Sequence, residues 1–513
     1  MRERKYWFVT RPKRRLDSVP QLLSTFDCVV QGGQWIGQRD IQRGYEDILE
    51  ARGLKRRGER RDGSGSGGRT YGAWLKSLGL IFTRPNKQIA LTLAGEALLN
   101  GTSTASEVLA QQVLKFQYPS AYSIGRSVKV SPDFRVHPFR LMLRLMNDPR
   151  IGYLDKEEIG LICAIKGTSD SDSCFVSLVD TILEYRGSDG RIDVDFKGEY
   201  GTSPENLLDV ANTMQNWLEY TQLARREEGS SRLAIVDDER NRVRSILGTP
   251  ATFIGHPEDE ERFQRKYGLD PGHQKDTRDL SNAKTATARS MEELVMRTEY
   301  LKLIESGAYY GITADLVDAV SSRTGKTHGR VEQYLSANFA QRSIDEFYSN
   351  YIDMAFSGRE QATDFEVATT TVFNEAFKLK ATHLGQTGSV SAPDVLLVSD
   401  TEGWQGIVDT KAYPCYSITG DHHNRMCHNY VEKVGNYSDC PYPVGFYTYI
   451  AGGLCGTIDK QLEAEYEDCR VRGSAVTVRT FVEMAKRAES HPYPHSRLHD
   501  IFGIGRQILL ADL

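Results

Sequence analysis

No apolar run in these 513 residues approaches the roughly 18 needed to cross a bilayer, so no membrane-spanning segment is expected. The start, Met1-Arg-Glu-Arg-Lys-Tyr, is basic but lacks the apolar stretch of a secretory signal, and a cytoplasmic protein is expected. The eight cysteines (28, 163, 174, 415, 427, 440, 455 and 469) are scattered and contain no Cys-x-x-Cys, which argues against a disulfide scaffold. Charge of one sign is also lacking: the net charge is −5, and that average alone would speak against a nucleic-acid partner. What remains is an ordinary globular composition, 39% hydrophobic and 26% charged, long enough for about three domains of ~100–200 residues each.

The average conceals an asymmetry. Residues 1–80 hold 17 Lys/Arg against 9 Asp/Glu, densest at Arg11-Pro-Lys-Arg-Arg15 and Lys55-Arg-Arg-Gly-Glu-Arg-Arg61. Such clusters neutralise phosphates, although a solvated surface has the same composition. The pattern near Ile41–Gly53 predicts a helix, and Tyr71, Trp74, Leu75 and Leu78 predict a second over Thr70–Leu78. Gly79–Thr83 and Gln88–Thr92 read as strands around an Arg84-Pro-Asn-Lys87 turn, and Thr92 is placed to cap the next helix. This order predicts a winged helix. It recurs weakly with a helix over Asn212–Tyr220, a hairpin within Ala224–Ile235 and a helix over Asp237–Leu247, while Tyr153–Ile162 begins a helical region. Residues 252–290 are polar and rich in Pro, Gly, Asp and Lys, as a linker would be. Ser290–Ser306 and Thr327–Phe347 read as helical.

The chemistry lies further on. A predicted helix, Phe365–Leu379, carries Glu366 and Glu375; a strand begins at Pro393-Asp394; and a second strand contains Asp409-Thr410-Lys411. Asp409 and Lys411, two apart in a strand, share a face, and a hairpin would set Asp394 beside Asp409. Adjacent carboxylates repel and invite a hard divalent cation such as Mg²⁺. With a phosphodiester bound there, the cation would offset phosphate charge and lower the pKa of a water, and Lys411 would orient that water or stabilise the developing charge. Aspartates at strand ends with a nearby lysine are also common without chemistry, so the motif needs its setting.

Ile407–Tyr413 resembles the catalytic strand of FokI-type nuclease domains of the PD-(D/E)xK superfamily. Ordered likenesses at His383-Leu-Gly385, Tyr430-Val-Glu432 and Gly473–Val478 extend it over about 340–490. The resemblance implies Asp394, Asp409 and Lys411 as the catalytic set with Asp394 and Asp409 on the metal. Glu375 is favoured over Glu366 as the upstream acid, although its spacing to His383 departs from the family's. Tyr6–Pro12, Leu114–Ser120 and the Gly79–Leu99 segment are similar to the AlwI-type group of restriction and nicking endonucleases. That likeness implies a type IIS enzyme, which reads a short asymmetric duplex site and cuts to one side.

The expected architecture is therefore multidomain α+β. It comprises winged-helix recognition units over 1–150 and 151–250, a linker over 251–330 and an α/β PD-(D/E)xK cleavage domain over 331–513. Arg69, Thr70 and Lys76, with Arg84 and Lys87 on the wing, are the expected DNA-binding residues, each as readily a phosphate contact or plain surface as a base reader. The family's dimer helix would be Asp421–Val434, where Arg425 and Asn429 lie one turn apart, although the family's charged pair is not reproduced. Double-stranded DNA, a transient homodimer and a companion DNA methyltransferase are the implied partners. The alternatives are a strand-specific nicking endonuclease with the same site and a winged-helix regulator with an inactive nuclease domain.

Two other signals fail on inspection. Gly325-Lys326-Thr327 ends like a nucleotide-binding loop, but Val320 stands where glycine is required and no strand precedes it. Cys415, His422, His423, Cys427, His428 and Cys440 match no standard zinc spacing, so no zinc site is expected from them.

Overall fold

The computed structural model describes all residues but 1, 31, 59–62, 124–127, 189, 191–193, 228–229, 281–290, 340–342 and 386–391. Part of the second basic cluster, Glu59 to Arg61, and the last ten residues of the polar 252–290 segment thus lie outside the described residues. No helix among those described is long and apolar enough to cross a membrane. The chain divides into two compact units of mixed helix and sheet, residues 1–301 with 323–342, and residues 302–322 with 343–513.

In the first unit, helices α1 (Val19–Val30), α2 (Arg39–Ala51) and α3 (Ser66–Ser77) precede a hairpin of β1 (Ile81–Thr83) and β2 (Ile89–Leu91). Helix α4 (Leu93–Asn100) follows. Its cap is Thr92, whose hydroxyl oxygen accepts from the Gly95 amide at 3.0 Å and donates to the Gly79 carbonyl at 2.6 Å. Helix α5 (Ala105–Lys115) opens with a reciprocal capping box between Thr104 and Glu107.

Further along the same unit, β3 (Tyr153–Leu154), helix α6 (Pro204–Tyr220), β4 (Ala224–Arg226), β5 (Leu233–Ile235) and helix α7 (Arg240–Gly248) are arranged about a three-stranded antiparallel sheet, order β3-β5-β4. The helical region expected from Tyr153 begins only later. Tyr153 and Leu154 first pair with Ala234 and Leu233 as an added strand.

One hydrophobic core runs through both halves of this unit, from Trp7 to Tyr267. The stacked rings of Phe139 and Trp217, 5.9 Å apart, join the segments expected as separate domains. Burying such a side chain is worth roughly 1.5–3 kcal/mol. The segment expected as linker takes part too: helix α8 (Glu260–Tyr267) buries Phe263 and Tyr267, and the Tyr267 hydroxyl donates to the Gln112 carbonyl at 3.0 Å.

In the second unit, α9 (Ser343–Met354) and α10 (Ala362–Glu375) lead to a sheet of five strands among the described residues. These are β6 (Lys380–His383), β7 (Val395–Ser399), β8 (Trp404–Lys411), β9 (Val444–Ala451) and β10 (Gly473–Thr477), in spatial order β10-β9-β8-β7-β6. Strands β6 to β8 are antiparallel, whereas β8, β9 and β10 are parallel and need helical crossovers. The helices are α11 (Gly420–Asn424), which continues as a wider π-helical stretch over Arg425–Val431, α12 (Ile458–Cys469), α13 (Val478–Ser490) and α14 (His495–Phe502). Both faces of the sheet are covered. Val408, Phe446 and Val476 enter one core with α9, α10, α13 and α14, while Ile407, Tyr447, Tyr449 and Ala475 enter a second with the helices after β8 and β9. Gly406 lies within β8 because a β-carbon there would sit 2.5 Å from the Phe446 ring. Cys415 and Cys455, just beyond the ends of β8 and β9, form a disulfide that the scattered cysteine positions gave no reason to expect.

Candidate active site

The β7–β8 hairpin sets the two aspartates side by side. Val408 pairs with Val395, so the preceding Asp394 and the following Asp409 are neighbours across the ladder. The Asp394 Oδ2 accepts from the Thr410 amide at 2.6 Å and from the Thr410 hydroxyl at 2.8 Å. Lys411 lies on the Asp409 side of β8, its Nζ 2.6 Å from Asp409 Oδ2, as the two-residue period requires. Asp409 is 5% exposed, so this is a nearly dry ion pair.

The electrostatics are those of crowded anions. Burial raises the Asp394 carboxyl well above the ordinary carboxylate range, and Asp409 and Glu366 push it the same way against the pull of Lys411 and the Thr410 amide. Burial works against the Lys411 ammonium, but Asp409 and Asp394 outweigh it and hold its pKa above the usual lysine value. Behind β8 and β9, burial pushes Glu465 on α12 up to about 8, and its carboxyl oxygen Oε1 accepts from the Tyr449 hydroxyl at 2.8 Å.

The two candidate upstream acids sit differently. Glu375 is the last residue of α10, about half exposed, and pairs with Lys378 at 3.8 Å. Glu366, near the start of the same helix, is the acid that acts on Asp394, and its Oε2 meets His383 Nε2 at 2.8 Å. Helix α10 stops at Glu375 rather than running to Leu379, with Lys378 in a left-handed conformation, so its first turns and not its end face the cluster. A β-carbon at Gly385 would meet the Glu366 carboxylate, so a larger residue there would push that carboxylate aside. Glu366 was the open alternative in the sequence; Thr410 and His383 were not assigned roles there, although Thr410 lies inside the quoted motif.

The expected DNA-contact residues are less uniform. Lys76 is committed within the fold, its Nζ 2.8 Å from Glu260 Oε1 and 3.0 Å from the Thr83 hydroxyl. Arg69 is half-buried and donates to the Ser64 carbonyl at 2.6 Å and to Gln42 Oε1 at 3.1 Å. Thr70 is exposed and donates back to the Ser66 carbonyl. Lys87 sits exposed at the tip of the β1–β2 turn at φ +67°, and the Arg84 amide closes that turn on the Gln88 carbonyl. Arg425 pairs with Asp421 at 2.9 Å, and Asn429 accepts from Lys433 at 3.2 Å, both on the surface of the helix after β8.

Residues 325–509 match the family described as FokI, cleavage domain. This part of the chain is thus a nuclease cleavage domain, with Asp394, Asp409, Lys411 and Glu366 inside the matched span. The match supports a DNA endonuclease with a FokI-like cleavage domain over that span. Among solved structures, restriction endonuclease FokI aligns at 12% identity over 99% of this chain and all of that one, with a TM-score of 0.29. FokI bound to DNA aligns at 13% identity over 94% of this chain and 88% of that one, with a TM-score of 0.31. The BpuJ1 endonuclease binding domain, in complex with modified DNA, aligns at 14% identity over 52% of this chain and 97% of that one, with a TM-score of 0.36. No curated protein matches.

Proposed function

We propose that the first unit binds a short asymmetric duplex site through two winged-helix modules and that the second hydrolyses phosphodiester bonds a fixed distance to one side. The observation that carries the cleavage half is the buried Asp394–Asp409–Lys411 cluster with Glu366 against it, inside the span matched to the cleavage domain. Its donor set, carboxylate oxygens crowded enough to raise the Asp394 pKa, suits a hard divalent cation such as Mg²⁺ on Asp394 and Asp409. Such an ion supplies charge neutralisation at the phosphate and a water acidic enough to act as nucleophile near neutral pH.

The chain's own groups have defined tasks in that reading. Thr410 fixes Asp394 through two hydrogen bonds, and His383 fixes Glu366. Lys411, kept charged by its two carboxylates, donates to the attacking water or to a phosphate oxygen as negative charge builds there. Water adds to phosphorus, the bond to the leaving oxygen breaks, and a proton passes to that oxygen.

Recognition rests on the helix–helix–hairpin order of α2, α3, β1 and β2 and on a helix–hairpin order in α6, β4 and β5. Arg84 and Lys87 on the wing turn and Thr70 on α3 are the candidate contacts; Arg69 and Lys76 serve first as internal ties. Arg425 and Asn429 are the candidate contacts of a transient homodimer. A companion methyltransferase would protect the host's own sites.

The test is incubation of the full chain with plasmid DNA and Mg²⁺, followed by sequencing of the ends. Breaks at a constant distance from one asymmetric sequence, lost in Asp409→Ala, are expected. Random ends, or equal cleavage by the variant, would refute the assignment.

A further inference from the structure

We propose that His423, Cys427 and Asp468 form a transition-metal site, suited to Zn²⁺, that shares no residue with the acidic cluster. His423 and Cys427 are one helical turn apart and so lie on one face of the helix after β8. Asp468 arrives from α12, 45 residues beyond His423. One ligand atom from each of the three lies within 4.8 Å of the others. The Nε2 of His423 is 2.9 Å from Asp468 Oδ2, and the Cys427 sulfur is buried.

The surroundings are those of a built site. His428 places its Nε2 3.3 Å from the same Asp468 oxygen, while its Nδ1 meets Glu432 Oε1 at 3.1 Å. Carboxylate–imidazole chains of this kind orient metal ligands. Cys469, next to Asp468, shares a hydrogen bond with Cys427. Cys427 lies within the π-helical stretch, a local widening often found where a helix presents functional side chains.

Ligand chemistry selects the ion. A thiol that binds as thiolate, an imidazole and one carboxylate favour Zn²⁺ over Mg²⁺, which prefers oxygen donors and retained waters. Three protein ligands leave a fourth position, within reach of water or the Cys469 thiol. The ion would tie the helix carrying Arg425 and Asn429 to α12. The sequence spacings could not reveal this set. Of the six Cys and His considered there, Cys415 is bonded to Cys455 and His422 turns to the Tyr416 hydroxyl, while Asp468 is remote in sequence.

The full-length protein, purified under reducing conditions without chelator, tests this directly. Elemental analysis should find one zinc per chain after gel filtration. Replacement by Co²⁺ should give a thiolate-to-cobalt charge-transfer band that Cys427→Ser abolishes and Cys174→Ser, in the other unit, leaves unchanged. Competition with a chromogenic chelator should show His428→Ala binding zinc roughly 10–100-fold more weakly, the usual effect of removing an outer partner. Asp468→Asn, altered at a partly exposed position, should lose tight binding while keeping the wild-type circular dichroism, and stands in if Cys427→Ser fails to fold. Zinc well below one per chain in the wild type, or a cobalt–thiolate band that survives Cys427→Ser, would overturn the proposal.

Discussion

Asp394 carries the strongest tension in the second unit. Its raised pKa means that, without a cation, keeping it ionised opposes folding: stability is greatest below the ordinary carboxylate pKa and falls as pH rises towards the folded value. Asp394→Asn keeps an oxygen for the two Thr410 donors and removes a charge. We expect the metal-free variant at neutral pH to melt higher than the wild type by about 2–4 °C, the shift for ~1 kcal/mol in a domain this size, with cleavage lost. Scanning calorimetry with and without Mg²⁺ would read both effects, and a lower melting temperature would count against the repulsion. At the same scale, Glu366→Gln should reduce cleavage by roughly 10²–10³-fold, a loss typical of removing one active-site electrostatic group, whereas Glu375→Gln should leave it within about twofold. A matched pair of single-turnover rates separates the two acids.

Elements decide which of these residues meet. The Asp409–Lys411 pairing was legible in the sequence because strand periodicity is local and exact to two residues, and the hairpin could be inferred from the turn at Ser399–Gly403. Which glutamate approaches Asp394 was not, because α10 offers one near each end and the answer depends on where the helix terminates against the sheet. The polar 252–290 segment read as linker for a similar reason. Composition cannot show that Phe263 and Tyr267 insert one face of α8 into a core built mostly from distant residues. Two predictions belong here. Thr104→Ala breaks a two-way capping box on α5 and should destabilise the first unit by about 1 kcal/mol in urea titrations. Glu465 on α12, pushed up to about 8, holds a proton in the fold that it would release when unfolded between about pH 4.5 and 8. Its contribution is therefore fully present below about 4.5 and lost as pH rises through 8. Glu465→Gln should flatten the melting-temperature profile over that window, and an unchanged slope would assign the pH dependence elsewhere.

For the whole molecule, the chain forms two compact units with separate cores, and the proposed function gives recognition to one and cutting to the other. The net charge of −5 hides this division, since the basic excess lies in the first 80 residues. If two cleavage domains must meet through the Arg425–Asn429 face, the rate of double-strand breaks at fixed DNA should rise more steeply than linearly with enzyme. Arg425→Glu should then lower double-strand breaks at least tenfold, roughly what 1.4 kcal/mol would do, while binding of the same duplex is unchanged. Linear dependence with single-strand products would instead favour a nicking enzyme.

The central placement of β8 has a consequence in time as well as in space. With β7 on one side, β9 on the other and a packed core over each face, its amides can reach solvent only when the surrounding sheet comes apart. The backbone holding the repelling carboxylates should thus be among the slowest in the second unit to exchange its hydrogens. The cluster's electrostatic burden is carried by the part of the domain that opens last.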